Sequence, residues 1–219
     1  MERSELRSKP ELEELRRRFF AAHDQLQLKA WQNSCVGIAG AGGLGSNVAV
    51  ALTRAGVGKL VIVDYDVLSV SNLNRQQYFM DQVGQSKVIA LKDNLTRVSP
   101  FSMIVTHALR ITPDNLDQLF GHCDILIEAF DLADQKTMLI ESWQELHPDK
   151  PIIAASGLAG VGNNQAIITC SCDGLYLIGD QSSELQPGIS PVSARVAIVA
   201  NMQANLCLEL LLQISRTAK

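Results

Sequence analysis

Residues 35–66 read Cys35-Val-Gly-Ile-Ala-Gly40-Ala-Gly42-Gly43-Leu-Gly45-Ser46, then an apolar helical pattern, then Lys59-Leu-Val-Ile-Val-Asp64-Tyr-Asp66. The order is strand, glycine loop, helix, strand, acid. The short apolar run Val36–Ala39 predicts a buried strand. Gly40, Gly42, Gly43 and Gly45 let the backbone turn sharply and approach a phosphate closely. A helix starting near Leu44 aims free N–H groups and a positive dipole end at that anion. Asp64 closes the second strand about 20 residues on, where a carboxylate can take ribose hydroxyls. A nucleotide site follows, and NAD, FAD and ATP all satisfy the pattern at this point.

Beyond this unit the alternation continues. Helix one stops at Gly56 or Gly58 and strand two is Leu60–Asp64. An amphipathic helix is expected over Val88–Val98, a strand at Met103–His107 and a helix over Pro113–Phe120. Asp124–Glu128 reads as a strand, Leu132–Leu146 as a helix and Pro151–Ser156 as another buried strand. Gln165–Cys172 and Leu175–Ile178 flank Asp173-Gly174, a hairpin turn pair. The polar stretch Asp180–Pro191, broken by prolines and Gly188, reads as a mobile loop, and Ser193–Ile214 as the last helix. The fold class is therefore α/β: a Rossmann-like, mostly parallel sheet with an antiparallel extension and flanking helices.

Residues 4–29 suggest one or two charged helices, with Pro10 at the start and Arg16, Arg17 and Arg18 on a solvated face or reaching an anionic ligand. The expected organisation is an N-terminal helical segment, 1–29, on a single nucleotide-binding domain, 30–219. Its 47% apolar content is ample for one core, and the net charge of −4 argues against wholesale nucleic-acid binding. The charged start, Met1 to Arg7, lacks the apolar core of a signal peptide. The apolar pattern 193–214 carries Arg195, Asn201, Gln203, Asn205 and Glu209, so it reads as a packed helix and not a membrane span. The five cysteines form no Cys-x-x-Cys pair, so no structural zinc is expected and the thiols read as those of a cytoplasmic protein.

Two further segments carry chemistry. Ser71-Asn72-Leu-Asn74-Arg75-Gln76-Gln77-Tyr78-Phe79 is too dense in amides for a plain connector, and a phosphate ligand would supply the partners those groups need. Lys87 stands in a first helical turn, where the macrodipole disfavours a cation, which makes an anion opposite it the better reading. Asp131 and Asp134 lie just past a strand's carboxyl end, where open α/β sheets bind ligands. A carboxylate there can hold Mg²⁺ against phosphate oxygens, or can cap the following helix.

Taken together, Gly40–Ser46, Asp64-x-Asp66, Ser71-Asn72-Leu-Asn-Arg75-Gln76, Gly84-Gln-Ser-Lys87 and Asp131 resemble the ThiF/MoeB/HesA superfamily, relatives of the ubiquitin-activating enzymes. The short length, Glu128-Ala-Phe-Asp131 and Ala154-Ala-Ser-Gly157-Leu-Ala-Gly160 are most similar to the short ThiF proteins. The resemblance implies an adenylyltransferase: a carrier's C-terminal Gly-Gly carboxylate attacks the α-phosphate of Mg-ATP, giving an acyl-adenylate and pyrophosphate. It implies Asp64 on the ribose with Asp66 nearby, the glycine loop, Asn72, Arg75, Gln76 and Lys87 on the phosphates, and Asp131 on Mg²⁺. Implied partners are a ThiS-like ubiquitin-like sulfur carrier and a second copy in a homodimer, with no nucleic acid and no membrane. The family's N-terminal arginine has no clear counterpart; His23 and Ala22 stand near its place and Arg18 is the nearest arginine upstream. No covalent role is assigned to any cysteine. The alternatives are an NAD-dependent oxidoreductase of the same fold, or a different carrier of the molybdopterin type.

Overall fold

The computed structural model describes residues 9–183 and 187–217. The charged start Met1–Arg7, the expected beginning of the first helix, and 184–186 of the expected loop lie outside the described residues. In chain order the elements are α1 (Lys9–Phe19), α2 (Gln25–Gln32), β1 (Cys35–Ala39), α3 (Gly43–Ala55), β2 (Lys59–Val63), α4 (Lys87–Val98), β3 (Met103–His107) and α5 (Pro113–Phe120). Then follow β4 (Ile125–Glu128), α6 (Ala133–Leu146), β5 (Ile152–Ala155), β6 (Ile168–Cys172), β7 (Leu175–Gly179) and α7 (Ser193–Thr217).

The strands form one sheet in the order β3-β2-β1-β4-β5-β7-β6. All neighbours are parallel except β6, which runs antiparallel to β7. This is the mostly parallel sheet with an antiparallel extension that the alternation implied. Asp173 and Gly174 both take positive φ (47° and 79°), the backbone a tight two-residue hairpin needs.

Strands β1, β2 and β4 are apolar on both faces because helices cover both. One core layer holds Ile38, Val48, Leu52, Leu91 and Val199; the other holds Val61, Val63, Leu116, Phe120 and Trp143. Helix α3 ends at Gly56, which adopts φ 92° and bonds back to Leu52 O at 3.1 Å.

Helix α7 is long and apolar enough to cross a bilayer by composition alone. It lies instead against α3 and the sheet, with Val196, Val199, Ala200 and Leu211 buried. Its Gln203 donates to Glu128 O and Ile153 O at 3.2 and 3.3 Å. Helix α2 joins the same core through Leu28 and Trp31, whose indole N–H donates to Leu208 O at 3.0 Å.

Candidate active site

The strand order reverses at β1, with β2 on one side and β4 on the other, and a cleft of about 750 Å³ opens past the strands' carboxyl ends. It is lined by Gly40, Gly42, Gly43, Asp64, Asp66, Asn72, Arg75, Gln76, Lys87 and Asp131. Of the sequence-predicted candidates, Gly45 and Asp134 are not on its wall. A Cβ on Gly45 would stand 1.9 Å from Gly40 O, so this glycine lets α3 pack down on the loop. Val63, Leu109, Ile111 and Ala129 give the cleft an apolar side, and Ser156–Ala159 with Ser183 the facing wall.

The glycine loop is held in shape before any ligand arrives. Gly40 takes φ 102° and donates to Val63 O at 2.8 Å. Asp64 Oδ2 accepts from Ala41 N and Oδ1 from Asp66 N, both at 2.7 Å. The carboxylate expected on a ribose therefore braces the loop first, and each oxygen keeps acceptor capacity for a further donor. The Tyr78 hydroxyl donates to Ala41 O at 2.7 Å. Burial, with the Asp64 charge second, pushes that phenol far above its ordinary range, so it stays a neutral donor. Helix α3 begins at Gly43 with no side-chain cap, and its first turn presents free N–H groups to the cleft.

Ser46 and Asn47 clip the amide-rich segment to α3. Ser46 Oγ donates to Gly42 O at 2.7 Å and accepts from Gln77 N at 3.1 Å. Asn47 Nδ2 donates to Gly43 O and Arg75 O, and Asn47 Oδ1 accepts from Gln77 Nε2 at 2.7 Å. Gln82 and Asn94 pair with each other, and Asn94 also reaches Gln77 O. For Gln77 the expectation that a phosphate satisfies these amides is corrected: Ser46 and Asn47 meet its backbone N–H and its side chain. Gln76 differs. It is buried against Gly42, and its Oε1 has no partner. Asn72 Oδ1 caps its own turn at Ser69 N, 3.0 Å away. The Arg75 guanidinium is held by Ser71 O at 3.2 Å and Asn74 Oδ1 at 2.8 Å.

Lys87 is buried at the start of α4, and Nζ lies 2.6 Å from Asp66 Oδ2. The anion inferred opposite this lysine is therefore, in part, the chain's own carboxylate.

On the other side, Asp131 is exposed to the cleft, and among the described residues its carboxylate makes no hydrogen bond or ion pair. It does not cap α6, whose N-cap residue is Leu132 with no side-chain bond. Asp134 lies inside the first turn and accepts from Gln135 N at 2.8 Å. A free carboxylate beside a phosphate cradle suits Mg²⁺, which takes one or two carboxylates plus phosphate oxygens. None of Arg16, Arg17 or Arg18 lines the cleft, and Arg17 pairs with Glu14 at 2.7 Å.

Two further ion pairs, each with a buried acid, are also not evident from the sequence. Glu128 is fully buried and meets Lys136 Nζ at 2.5 Å and Phe130 N at 2.7 Å. Burial raises its pKa, against the pull of Lys136 and of the Phe130 and Ala155 amides. An acid ending an apolar strand was the available signal, since burial demands a cation nearby. Asp180 Oδ2 meets Arg195 NH2 at 2.5 Å, both side chains buried, and Arg195 also donates to Gly162 O.

The ThiF family model matches residues 15–219. The chain belongs to the ThiF family. The tRNA threonylcarbamoyladenosine dehydratase of Bacillus subtilis is 34% identical over 134 residues, 60% of this chain and 52% of that protein. Ubiquitin-like modifier-activating enzyme 5 of Caenorhabditis elegans is 47% identical over 108 residues, 49% of this chain and 25% of that protein. The adenylyltransferase and sulfurtransferase MOCS3 of Aedes aegypti is 36% identical over 135 residues, 61% of this chain and 30% of that protein. This ThiF-family chain thus spans about half the length of one curated relative and less of the others. Its fold matches E. coli tRNA N6-threonylcarbamoyladenosine dehydratase, solved in complex with ATP, at TM-score 0.83 and 19% identity over 92% of this chain and 95% of that one.

Proposed function

We propose that this chain is an ATP-dependent adenylyltransferase that activates the C-terminal Gly-Gly carboxylate of a small ubiquitin-like sulfur carrier, of the ThiS type. One observation carries the reading. A single cleft sets the glycine loop, Gln76, Arg75 and Lys87 on one side and on the other the carboxylate of Asp131, which has no partner among the described residues.

The attacking group is a carboxylate and already ionised, so no general base is needed. Its oxygen bonds to the α-phosphorus as the bond to the bridging oxygen breaks, and pyrophosphate leaves with that electron pair. Repulsion between two anions is the obstacle. Arg75, Lys87 and the α3 N-terminus are donors fixed beforehand at the place where charge accumulates, and each such donor supplies about 3–4 kcal/mol in comparable sites. Gln76 and Asn72 orient the polyphosphate. Asp131 would hold Mg²⁺, which neutralises phosphate oxygens when bound.

The ThiF-family match favours this chemistry over the oxidoreductase alternative. A second reading acts on a modified tRNA, as the name of the Bacillus subtilis relative says of that protein. The net charge of −4 weighs against it, because nucleic-acid affinity rests largely on basic surface. We also place the chain in the cytoplasm, in thiamine biosynthesis and as a homodimer. The dimer is supported by an apolar groove on the outer face of α7, lined by Ala197, Ile198, Met202 and Leu206.

ATP–pyrophosphate exchange is the test, run with a ThiS-type carrier, a molybdopterin-type carrier and threonylcarbamoylated tRNA in separate reactions. Exchange that needs a Gly-Gly-ended carrier supports the proposal. Exchange with the tRNA alone would overturn it.

A further inference from the structure

The other end of the same strands, away from the cleft, holds two thiols. Cys35 opens β1 and is partly accessible, whereas Cys123 lies just before β4 and is fully buried. Their sulfurs are 3.5 Å apart and share a hydrogen bond. The backbones beneath them are locked together: Cys35 N donates to Asp124 Oδ2 and Asp124 N to Cys35 O, both at 2.8 Å.

The surroundings are cationic. Lys59 Nζ lies 2.9 Å from His122 Nε2, and Lys150 Nζ donates to Gly121 O and Cys123 O at 2.6 and 3.1 Å. His122 is the exposed neighbour, with a ring nitrogen within 4.8 Å of both sulfurs. The hydrogen bond from Cys123 holds the Cys35 thiol below its ordinary value; burial opposes this, and Lys59 and Lys150 assist against Asp124. The bond to Cys35 and burial push Cys123 far up. His122 is lowered by burial and by Lys59, Lys150 and His107, so it stays neutral.

We propose that Cys35 and Cys123 form a dithiol site for low-molecular-weight disulfides, with Cys35 as the attacking thiolate and Cys123 as the resolving thiol. The site stands apart from the adenylation reading. In the first step the Cys35 thiolate attacks one sulfur of a disulfide RSSR. A Cys35–SR bond forms, the S–S bond of the reagent breaks, and RS⁻ leaves and takes a proton. In the second step Cys123 gives its proton to water. Its sulfur attacks Cys35 Sγ and expels the second RS⁻. The protein loses two electrons and two protons, and RSSR becomes two RSH. The sulfurs close from 3.5 Å to about 2.05 Å. Cys35, His122 and Cys123 are also a ligand set for a soft metal, but Lys59 and Lys150 oppose a cation and favour a thiolate.

The test is reaction of the full chain with oxidised glutathione, read by intact mass and peptide mapping. It uses a C170S/C172S background, because those two thiols are exposed. Expected is a chain lighter by two hydrogens with a Cys35–Cys123 link and no retained glutathione. In that background Cys123→Ser traps one glutathione on Cys35, and Cys35→Ser leaves Cys123 free. Lys59→Gln slows capture several-fold at neutral pH. A lasting glutathione adduct on Cys35 with Cys123 still present would overturn the proposal. So would an unreactive Cys35, or stoichiometric Zn²⁺ binding lost in His122→Ala in a chain that never forms the disulfide.

Discussion

Lys87 Nζ stands 2.6 Å from Asp66 Oδ2, a buried cation against a carboxylate whose side chain is 47% exposed. The pair positions the ammonium at the cleft wall while leaving two of its protons for a ligand. Lys87→Ala should lower ATP–pyrophosphate exchange about 100-fold or more, as loss of a fixed transition-state donor does. The melting temperature should change little, since Asp66 is not left as a buried charge. Exchange within a few-fold of the parent would remove Lys87 from the reaction.

Asp131 faces the cleft with no protein partner among the described residues. Asp131→Asn should raise the Mg²⁺ concentration needed for half-maximal exchange at least tenfold and leave ATP affinity without metal almost unchanged. Asp134, engaged with Gln135 N, should tolerate the same change. An identical Mg²⁺ titration for Asp131→Asn and the parent would count against the assignment.

What the sequence disclosed and what it concealed divide along a physical line. Strand alternation, the glycine loop and the stop at Gly56 are local patterns, and they reappear within a residue or so in β1, α3 and β2. Asp131 was legible because a strand end followed by an acid is also local. The partners of Gln77, Asp66 and Glu128 were not, since Asn47, Lys87 and Lys136 become neighbours only once helices dock on the sheet. The amides of 72–77 show the consequence. Their density suggests a demand for phosphate, yet Asn47 meets the Gln77 side chain, Asn72 Oδ1 accepts from Ser69 N and Asn74 Oδ1 from Arg75, and of these amides only Gln76 has a buried oxygen, Oε1, without a partner.

Asp180 and Arg195 tie the strap after β7 to α7, and the pair should govern acid stability. Burial raises the Asp180 carboxyl, but the Ser182 and Ser183 amides and the Arg195 guanidinium outweigh it and hold the group well below the usual carboxylate range. The unfolded chain, titrating near about 3.9, then binds this proton more readily than the native one. The stabilisation is complete above that value and is lost as pH falls through the lower native value. Arg195→Met should cost about 3–5 kcal/mol at neutral pH by leaving a buried carboxylate alone. Asp180→Asn in that background should recover part of the loss and flatten stability below about pH 4. Acid unfolding curves of the parent, Arg195→Met, Asp180→Asn and the double variant measure the coupling, and parallel curves would show that the pair contributes none of the pH dependence.

Gly42 and Gly45 look alike in the sequence but hold different positions. A methyl on Gly42 would meet nothing nearer than Gln76 Nε2 at 3.7 Å, and the φ of −81° suits any L residue. That methyl would project into the cleft floor, where a phosphate must approach the backbone. A methyl on Gly45 would meet Gly40 O at 1.9 Å and the backbone of the same turn, with no flexible side chain to give way. Gly42→Ala should therefore fold with a near-parental melting temperature and bind ATP at least tenfold more weakly. Gly45→Ala should lose about 1–3 kcal/mol of stability or more, because α3 has to lift off the loop. Calorimetric binding beside thermal unfolding separates the two effects. If both variants melt like the parent and bind equally weakly, Gly45 belongs to the ligand surface after all, and the division of the glycine loop into a cradle and a packing contact fails.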